Sequence, residues 1–258
     1  MNPGILDLPG LALGPLDHLL ELAHVPGLLR VFGWGALVGY IGMWIYRRWS
    51  PQQRIAELRI ELADVQKRLA AYDGEFSGLL PLIRGQFALA LRQMRLTAGA
   101  ALLAALPILL VLPWLSNQYG VHDPLPGTAI RICVEPADVA TSLHWSSHAT
   151  PTDSAACNTV SWPANGETTT LTEGATRLLQ LPLPAPAEIV HKRHWLNTLV
   201  GNPAGYLADA SAAARVHLDL PAIELIGWGP KWLRGWEAAF FLSALIISLW
   251  LRWRWKLN

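Results

Sequence analysis

Charged residues are scarce in this chain: Asp, Glu, Lys and Arg make up 15% of its 258 residues, whereas apolar residues make up 52%. The sequence also lacks the GxSxG, HExxH, P-loop and GxGxxG motifs of common catalytic and nucleotide-binding sites. We therefore expect no enzyme activity and no cofactor. The net charge of +1 gives no reason to expect nucleic-acid binding. What remains is the composition of an integral membrane protein.

Three apolar runs, at about 31–46, 96–115 and 238–251, approach the length that crosses about 30 Å of hydrocarbon. The third has only fourteen residues, or about 21 Å of helix at 1.5 Å per residue. We expect either a locally thinned bilayer around it or an extension of the helix through 232–237. Tryptophans near the ends of the runs are typical of the membrane–water boundary.

Basic residues predict the orientation of these runs. Arg47 and Arg48 follow the first run directly, and no small-residue cleavage site closes it, so we expect an anchor and not a cleaved signal peptide. The stretch 47–95 holds nine Lys and Arg against five Asp and Glu, and the tail after the third run is basic. Since basic loops stay in the cytoplasm, we expect a multi-pass protein of the bacterial inner membrane with its N-terminus outside and C-terminus inside.

A 3-4 apolar repeat between the first two runs predicts a cytoplasmic coiled-coil hairpin. The seam of its first arm is Ile55, Leu58, Leu62, Val65, Leu69 and Tyr72, and that of its second arm is Phe76, Leu80, Ile83, Phe87, Ala90 and Met94. Leucines of the second arm outside this seam are candidates for contact with a partner: Leu79, Leu82, Leu89 and Leu91. Whether the hairpin is a spacer or dimer contact, or a surface for apolar clients, stays open at this level.

The long loop after the second run predicts a small antiparallel β-domain outside the membrane. Runs of β-branched residues broken by Pro, Gly, Asn and Asp predict five strands, at 128–135, 159–162, 168–171, 177–183 and 216–220. Cys133 and Cys157, the chain's two cysteines, are expected to form a disulfide in this oxidising space. Two histidine pairs, His144 with His148 and His191 with His194, lack a carboxylate or Cys that would complete a metal site, so we expect no metal.

The predicted fold class is thus an α-helical membrane protein with three transmembrane helices, a cytoplasmic coiled-coil hairpin and an inserted periplasmic, mainly-β domain. The predicted segments are an external segment 1–27, helix one 28–49, the hairpin 50–95, helix two 96–116, the β-domain 117–230, helix three 231–252 and the tail 253–258.

Four stretches carry a resemblance to a known family. They are 30–50 (RVFGWGALVGYIGMWIYRRWS), 53–69 (QRIAELRIELADVQKRL), 91–115 with Pro107 and Pro113, and 228–256 with Ser243 and Ser248. Their order resembles the core of the YidC and Oxa insertase superfamily, and especially its compact three-helix members, the archaeal YidC-like proteins and the insertase subunit of the ER membrane protein complex. The β-domain between helices two and three departs from that layout.

The resemblance implies an insertase or membrane chaperone that offers membrane-protein clients a wet groove open to the cytoplasm, with no chemical step. Polar residues that could line such a groove are Arg30, Tyr40, Thr97, Asn117, Ser243 and Ser248. Arg30 either lies deep in this groove or reaches the headgroups from the end of its helix. The alternatives are a non-catalytic scaffold of an envelope complex, which would bind partners through the β-domain and the hairpin, and a periplasmic ligand sensor.

Overall fold

The computed structural model of the chain describes residues 4–74, 76–147, 149–152 and 156–256. The chain forms two compact units: the N-terminal residues through Leu28 belong with Leu110–Ala238, and Leu29–Leu109 with Ala239–Asn258. The first unit contains the β-sheets, and the second is helical.

Six α-helices are present in the described residues: α1 Leu8–Leu22, α2 Gly27–Trp49, α3 Gln52–Ala70, α4 Phe76–Tyr119, α5 Lys231–Arg234 and α6 Trp236–Trp255. Three of them contain segments that are long and apolar enough to cross a membrane, namely Gly27–Trp49, Leu79–Tyr119 and Trp236–Trp255. The three predicted spans are thereby confirmed at the level of length and composition. Their orientation stays a prediction.

The third span is not short. The 20 residues of α6 make about 30 Å of helix at 1.5 Å per residue, which matches ordinary hydrocarbon thickness. Compared with the predicted run 238–251, the helix gains two residues at its N-terminal end and four at its C-terminal end, and Gly235 separates it from the short helix α5. The predicted extension through 232–237 is therefore limited to Trp236 and Glu237, and the locally thinned bilayer stays a prediction.

The hairpin consists of α3 and the first half of α4, which continues without a break into the second span. The seam predicted for the first arm is the buried side of α3, with Ile55 and Leu58 fully covered and Leu62, Val65 and Leu69 half-buried. The seam predicted for the second arm is wrong, because Phe87 is 67% exposed and Met94 is 60% exposed. The side chain of Phe76 lies outside the described residues. Knobs-into-holes packing of the two arms stays a prediction.

The β-strands of the first unit form two antiparallel sheets in the described residues. The strands are β1 Ala129–Glu135, β2 Leu143–Trp145, β3 Ala149–Pro151, β4 Cys157–Ser161, β5 Thr169–Glu173, β6 Thr176–Leu181, β7 Ile189–His191 and β8 Arg215–Leu218. One sheet has the order β3-β4-β1-β8-β7 and the other the order β2-β5-β6. Each of the five predicted strands overlaps an observed one, and the antiparallel pairing is confirmed.

Large apolar side chains from both sheets form one core. Ile132, Val160, Leu171, Leu181 and Val216 are almost completely buried within it. They alternate with more exposed neighbours along each strand, as expected where one face of a sheet is covered. The core is thus built from the strands that the runs of β-branched residues predicted.

The predicted disulfide is confirmed. Cys133 of β1 and Cys157 of β4 stand directly opposite each other in the strand register and are bonded, with 4.0 Å between their Cα atoms. The bond closes a separation of 24 residues that contains β2 and β3. The bond therefore ties together the two ends of a connection whose described strands, β2 and β3, have three residues each.

The N-terminal segment is helical and belongs to the same unit as the β-sheets. After α1, His24 adopts a left-handed φ of 59°, and the Val25 amide donates to the Leu20 carbonyl, which closes the helix in a Schellman turn. The chain then passes through Pro26 into α2. This break separates α1 from the first span, as the Pro26-Gly27 pair predicts.

Candidate functional site

Glycines line the side of α2 that contacts the other spanning helices of the helical unit. A Cβ added at Gly35 would collide with Ser243 Oγ of α6, and one added at Gly39 would lie 2.7 Å from the Ala244 carbonyl oxygen. Gly42 meets α4 instead, since a Cβ there would lie 2.8 Å from the Ala104 carbonyl oxygen. Small residues thus let the backbones approach closely, which is how helices associate where lipid removes the hydrophobic driving force.

Ser243 belongs to this packing and does not line an open groove. It is 4% exposed, and its hydroxyl donates to the carbonyl of Phe240 in its own helix at 2.9 Å. The predicted groove role fails here because the hydroxyl is satisfied locally and covered by Gly35. Where Gly35 meets Ser243, α2 and α6 therefore pack directly against each other without an open groove between them.

The remaining groove candidates do not converge on one place. Arg30 lies half-buried in the first turn of α2, a position from which a side chain can reach the headgroups. The ring of Tyr40 packs edge-on against Trp255, with 6.0 Å between centroids. The hydroxyl of Thr97 donates to the carbonyls of Gln93 and Met94 within α4.

Two further candidates lie elsewhere. Ser248 is half-buried on α6, five residues beyond Ser243. Asn117 is exposed near the end of α4 and lines a cavity of the β-sheet unit. The six residues therefore do not form a single polar groove, because they fall on different helices, depths and units.

One side of α4 carries an apolar stripe that is largely exposed. Its members recur at helical spacing along one face, and all but the half-buried Ala105 are exposed: Leu80, Phe87, Leu91, Met94, Ala98, Leu102, Ala105 and Leu109. The sequence predicts Leu80, Phe87 and Met94 in a buried seam and Leu91 outside it. Arg84 interrupts the stripe between Leu80 and Phe87, Arg95 flanks it, and both are exposed. The α4 stripe runs from the hairpin into the span on one unbroken helix of 44 residues.

The opposite face of α4 is the packed one. Leu79, Leu82 and Leu89 are half-buried, and Ala100 further along the same face is buried. The expectation that four hairpin leucines are freely exposed therefore holds for Leu91 alone. Apolar residues occur on both faces of α4, so the 3-4 spacing alone could not decide which of them faces inward.

The β-sheet unit contains a cavity of about 1240 Å³ between the end of α4, the loop before and after β7, and α5. Its lining is mixed, with the apolar Leu196, Val200 and Ile223 beside charged residues. Arg234 is held at its rim by ion pairing with Glu224 at 3.3 Å and by donating Nε–H to the Gly229 carbonyl at 2.8 Å. The size is that of a ligand or peptide pocket.

The histidine pairs do not make a metal centre in the part of the chain that the structure describes. His191 and His194 stack with 5.7 Å between ring centroids, and His191 Nδ1 lies 2.6 Å from the Lys192 carbonyl. No group of three His, Cys, Asp or Glu side chains that could hold a metal is found among the described residues. His144 lies in β2, and its predicted partner His148 lies outside the described residues.

One carboxyl group outside the spans has a shifted pKa. Burial raises the pKa of Asp123 above its ordinary value, and the neighbouring charge of His122 opposes that shift. Asp123 follows α4 in the loop that leads to β1, and it is not part of the cavity lining.

Comparisons with protein-family models, curated proteins and solved structures find no match to this chain.

Proposed function

We propose that this chain is a YidC-like insertase or membrane chaperone, which assists the insertion or assembly of membrane proteins. The α4 stripe is the single observation that carries this proposal. It offers an apolar path on one helix that begins in the predicted hairpin, 50–95, and continues into the predicted span, 96–116. The order of the three spans and the hairpin resembles that of the insertase superfamily, and this resemblance also supports the proposal.

The exposure of the stripe has a physical cost unless something covers it. Phe87 and Met94 lie in the hairpin, before the apolar span, with about two-thirds of their side chains open. Burying a residue of this size is worth about 1.5–3 kcal/mol, so a row of them attracts another apolar segment. A client helix that leaves the cytoplasm exposes the same kind of surface.

The proposed route of the client runs along this stripe and not through a groove at Ser243. An apolar helix would pair with Phe87, Leu91 and Met94 first and then move along α4 toward Leu102 and Leu109. Arg84 and Arg95 beside the stripe would hold the hairpin at the cytoplasmic side, where basic residues are retained. No cofactor and no chemical step takes part.

Site-specific photocrosslinking during translation of a model membrane protein tests this route. A photoreactive amino acid at Phe87, Leu91 or Met94 is expected to link to the nascent chain. The same probe at Leu82 or Leu89, on the packed face of the same helix, is expected to give far less product. Equal labelling from both faces, or crosslinks from the stripe to one stable partner alone, would contradict an insertase.

A matched pair of variants tests the activity itself. We expect the double variant Phe87→Gln and Met94→Gln to lose most insertion of a single-span client into vesicles that contain the purified protein. Ala88→Gln adds the same side chain to an exposed position of the hairpin beside the stripe and is expected to retain activity. Unchanged insertion by the double variant would argue against the stripe as the client path.

The cavity of the β-sheet unit favours a second candidate function, a scaffold that binds an envelope partner. Its 1240 Å³ and its mixture of apolar and charged lining residues suit a peptide or a partner loop. Photocrosslinking from Asn117 and Ile223, two residues that line the cavity, distinguishes the two candidates. A single stable partner linked to these positions, with no nascent chains linked to the α4 stripe, would support the scaffold.

A further inference from the structure

Helix α1 turns a charged residue inward. Asp17 is 0% exposed, and its Oδ1 accepts a hydrogen bond from the Tyr119 hydroxyl at 2.6 Å. Gly10 and Gly14 lie on the same side, where a Cβ added at Gly10 would come within 2.8 Å of Trp114 Cδ1. The inner side of α1 is thus built of an acid and two glycines that fit against the last turns of α4.

The outer side of α1 is mostly apolar. Its exposed apolar members are Leu8, Leu11, Ala12, Pro15, Leu16, Leu19 and Leu22, and Leu11 is 70% exposed. The exposed His18 lies on the same side, with its Nδ1 3.7 Å from a carboxylate oxygen of Glu21. An amphipathic helix on a water-soluble domain has the reverse arrangement, with leucines inward and charges outward. This side of α1 is therefore suited to a medium without water.

The apolar surface continues onto the loop beside α1. The Leu6 amide donates to the Leu199 carbonyl at 2.8 Å, and the Asp7 carboxylate accepts from the Gly201 amide at 2.7 Å. These bonds hold the start of α1 against the segment 195–200. Within that segment Trp195 is 75% exposed, and Leu196, Leu199 and Val200 are also exposed.

Length and position identify what covers this surface. The 15 residues of α1 make about 22 Å of helix at 1.5 Å per residue, which is too short to cross about 30 Å of hydrocarbon. Yet α1 packs on Trp114 and Tyr119, the end of a helix that is long and apolar enough to cross a membrane. The surface therefore adjoins a span without forming one, and Trp195 has the amphipathic ring that prefers the headgroup level.

We propose that α1 and the segment 195–200 are embedded in one leaflet of the bilayer. The acyl chains of lipids cover the leucine side of α1, and the pair of Asp17 and Tyr119 holds it to α4. The unit with the β-sheets then contacts the membrane through this surface. This inference does not depend on the insertase proposal.

Spin labelling of the full-length protein in phosphatidylcholine and phosphatidylglycerol vesicles tests the proposal. The native cysteines are bonded to each other, so a single nitroxide can be attached in the variants Leu11→Cys, Leu16→Cys and Leu19→Cys. We expect these labels to collide with oxygen, which concentrates in lipid, several-fold more than with a water-soluble nickel complex. A label in Glu167→Cys, in the loop between β4 and β5, is expected to show the opposite preference.

Two results would overturn the proposal. The leucine-side labels could meet the nickel complex as freely as the Glu167→Cys control, which would mean that α1 is in water. They could instead be shielded from both reagents, as a second copy or another protein would shield them.

Tryptophan quenching by brominated lipids gives an independent measurement that needs no label. We expect Trp195→Phe to lower the fraction of fluorescence that the brominated lipids quench. Trp162→Phe, which alters a tryptophan buried in the β-sheet core, is not expected to lower it. An unchanged quenched fraction in Trp195→Phe would show that the loop lies outside the leaflet.

Discussion

The two cores of this molecule are packed with different kinds of residue. The β-sheet unit buries large side chains such as Ile132, Val160 and Leu171, whereas the helical unit brings α2 and α6 together through Gly35, Gly39 and Ser243. Water drives the first kind of core, because each apolar side chain removed from it gains free energy. Lipid provides no such drive, so the second kind depends on close backbone contact, and large residues can face outward.

The largest effect is expected from truncating the β-sheet core. Leu171 is completely buried, so Leu171→Ala should lower the free energy of unfolding by about 2–5 kcal/mol through lost burial and a cavity. Leu245→Ala on α6, where the leucine is half open to the surroundings, is the matched control and should be nearly neutral. Thermal unfolding of the full chain in detergent, followed by circular dichroism, compares them. Equal destabilisation would remove the distinction between the two cores.

Replacing a small residue of the helical core by a larger one should destabilise that core. We expect Gly35→Ala to destabilise the unit by about 1–3 kcal/mol, because the new methyl group would collide with Ser243 Oγ and the Phe240 carbonyl. Gly33→Ala, on the same helix with nothing within 4 Å of the added Cβ, should be tolerated and could stabilise α2 slightly. Chemical denaturation in mixed micelles measures both, and a tolerated Gly35→Ala would mean that the contact is looser than the distances indicate.

The polar pair at α1 gives a smaller, coupled effect. Asp17→Ala leaves the Tyr119 hydroxyl buried without this acceptor and should cost about 1–3 kcal/mol. The double variant Asp17→Ala with Tyr119→Phe removes both polar groups and should recover part of that loss. A double-mutant cycle on the melting of the full chain measures the coupling. Strictly additive single losses would show that the hydrogen bond does not stabilise the fold.

The smallest effect is expected at Ser243 itself. Its hydroxyl bonds a carbonyl of its own helix, so Ser243→Ala should change the free energy of unfolding by less than about 1 kcal/mol. It should also leave client insertion unchanged, since the proposed path follows the α4 stripe. A strong loss of insertion without a loss of stability would restore the groove as the client site.

Much of the fold could be predicted because its signals are local. Runs of β-branched residues predicted the strands of the core, and long apolar runs predicted the spans. The strands β2, β3 and β7 were missed, since each has only three residues and shows no alternation that stands out from a loop. The helix α1 was missed as well, because Pro9, Gly10, Gly14 and Pro15 weaken any helical signal in the sequence.

The candidate site was harder to predict. Three residues of the α4 stripe, Leu80, Phe87 and Met94, were predicted to lie in a buried seam and are exposed. Leu82 and Leu91 have the same hydropathy, and only their neighbours make one half-buried and the other exposed. Nothing in the sequence indicated that Asp17 is buried, since an acidic side chain in an apolar segment is ordinarily expected to reach water.

Four features could be predicted from the amino-acid sequence alone. They are three apolar segments of membrane-spanning character, helices between the first two, an antiparallel β-domain and the bond between Cys133 and Cys157. These follow from composition, period and spacing, which act over a few residues or a single pairing. Two features could be seen only in the tertiary contacts: α4 exposes its apolar stripe, and α1 buries Asp17 while it exposes its leucines. In a molecule that meets both water and lipid, an apolar residue is stable on either side of a helix, so the contacts and not the pattern select the side.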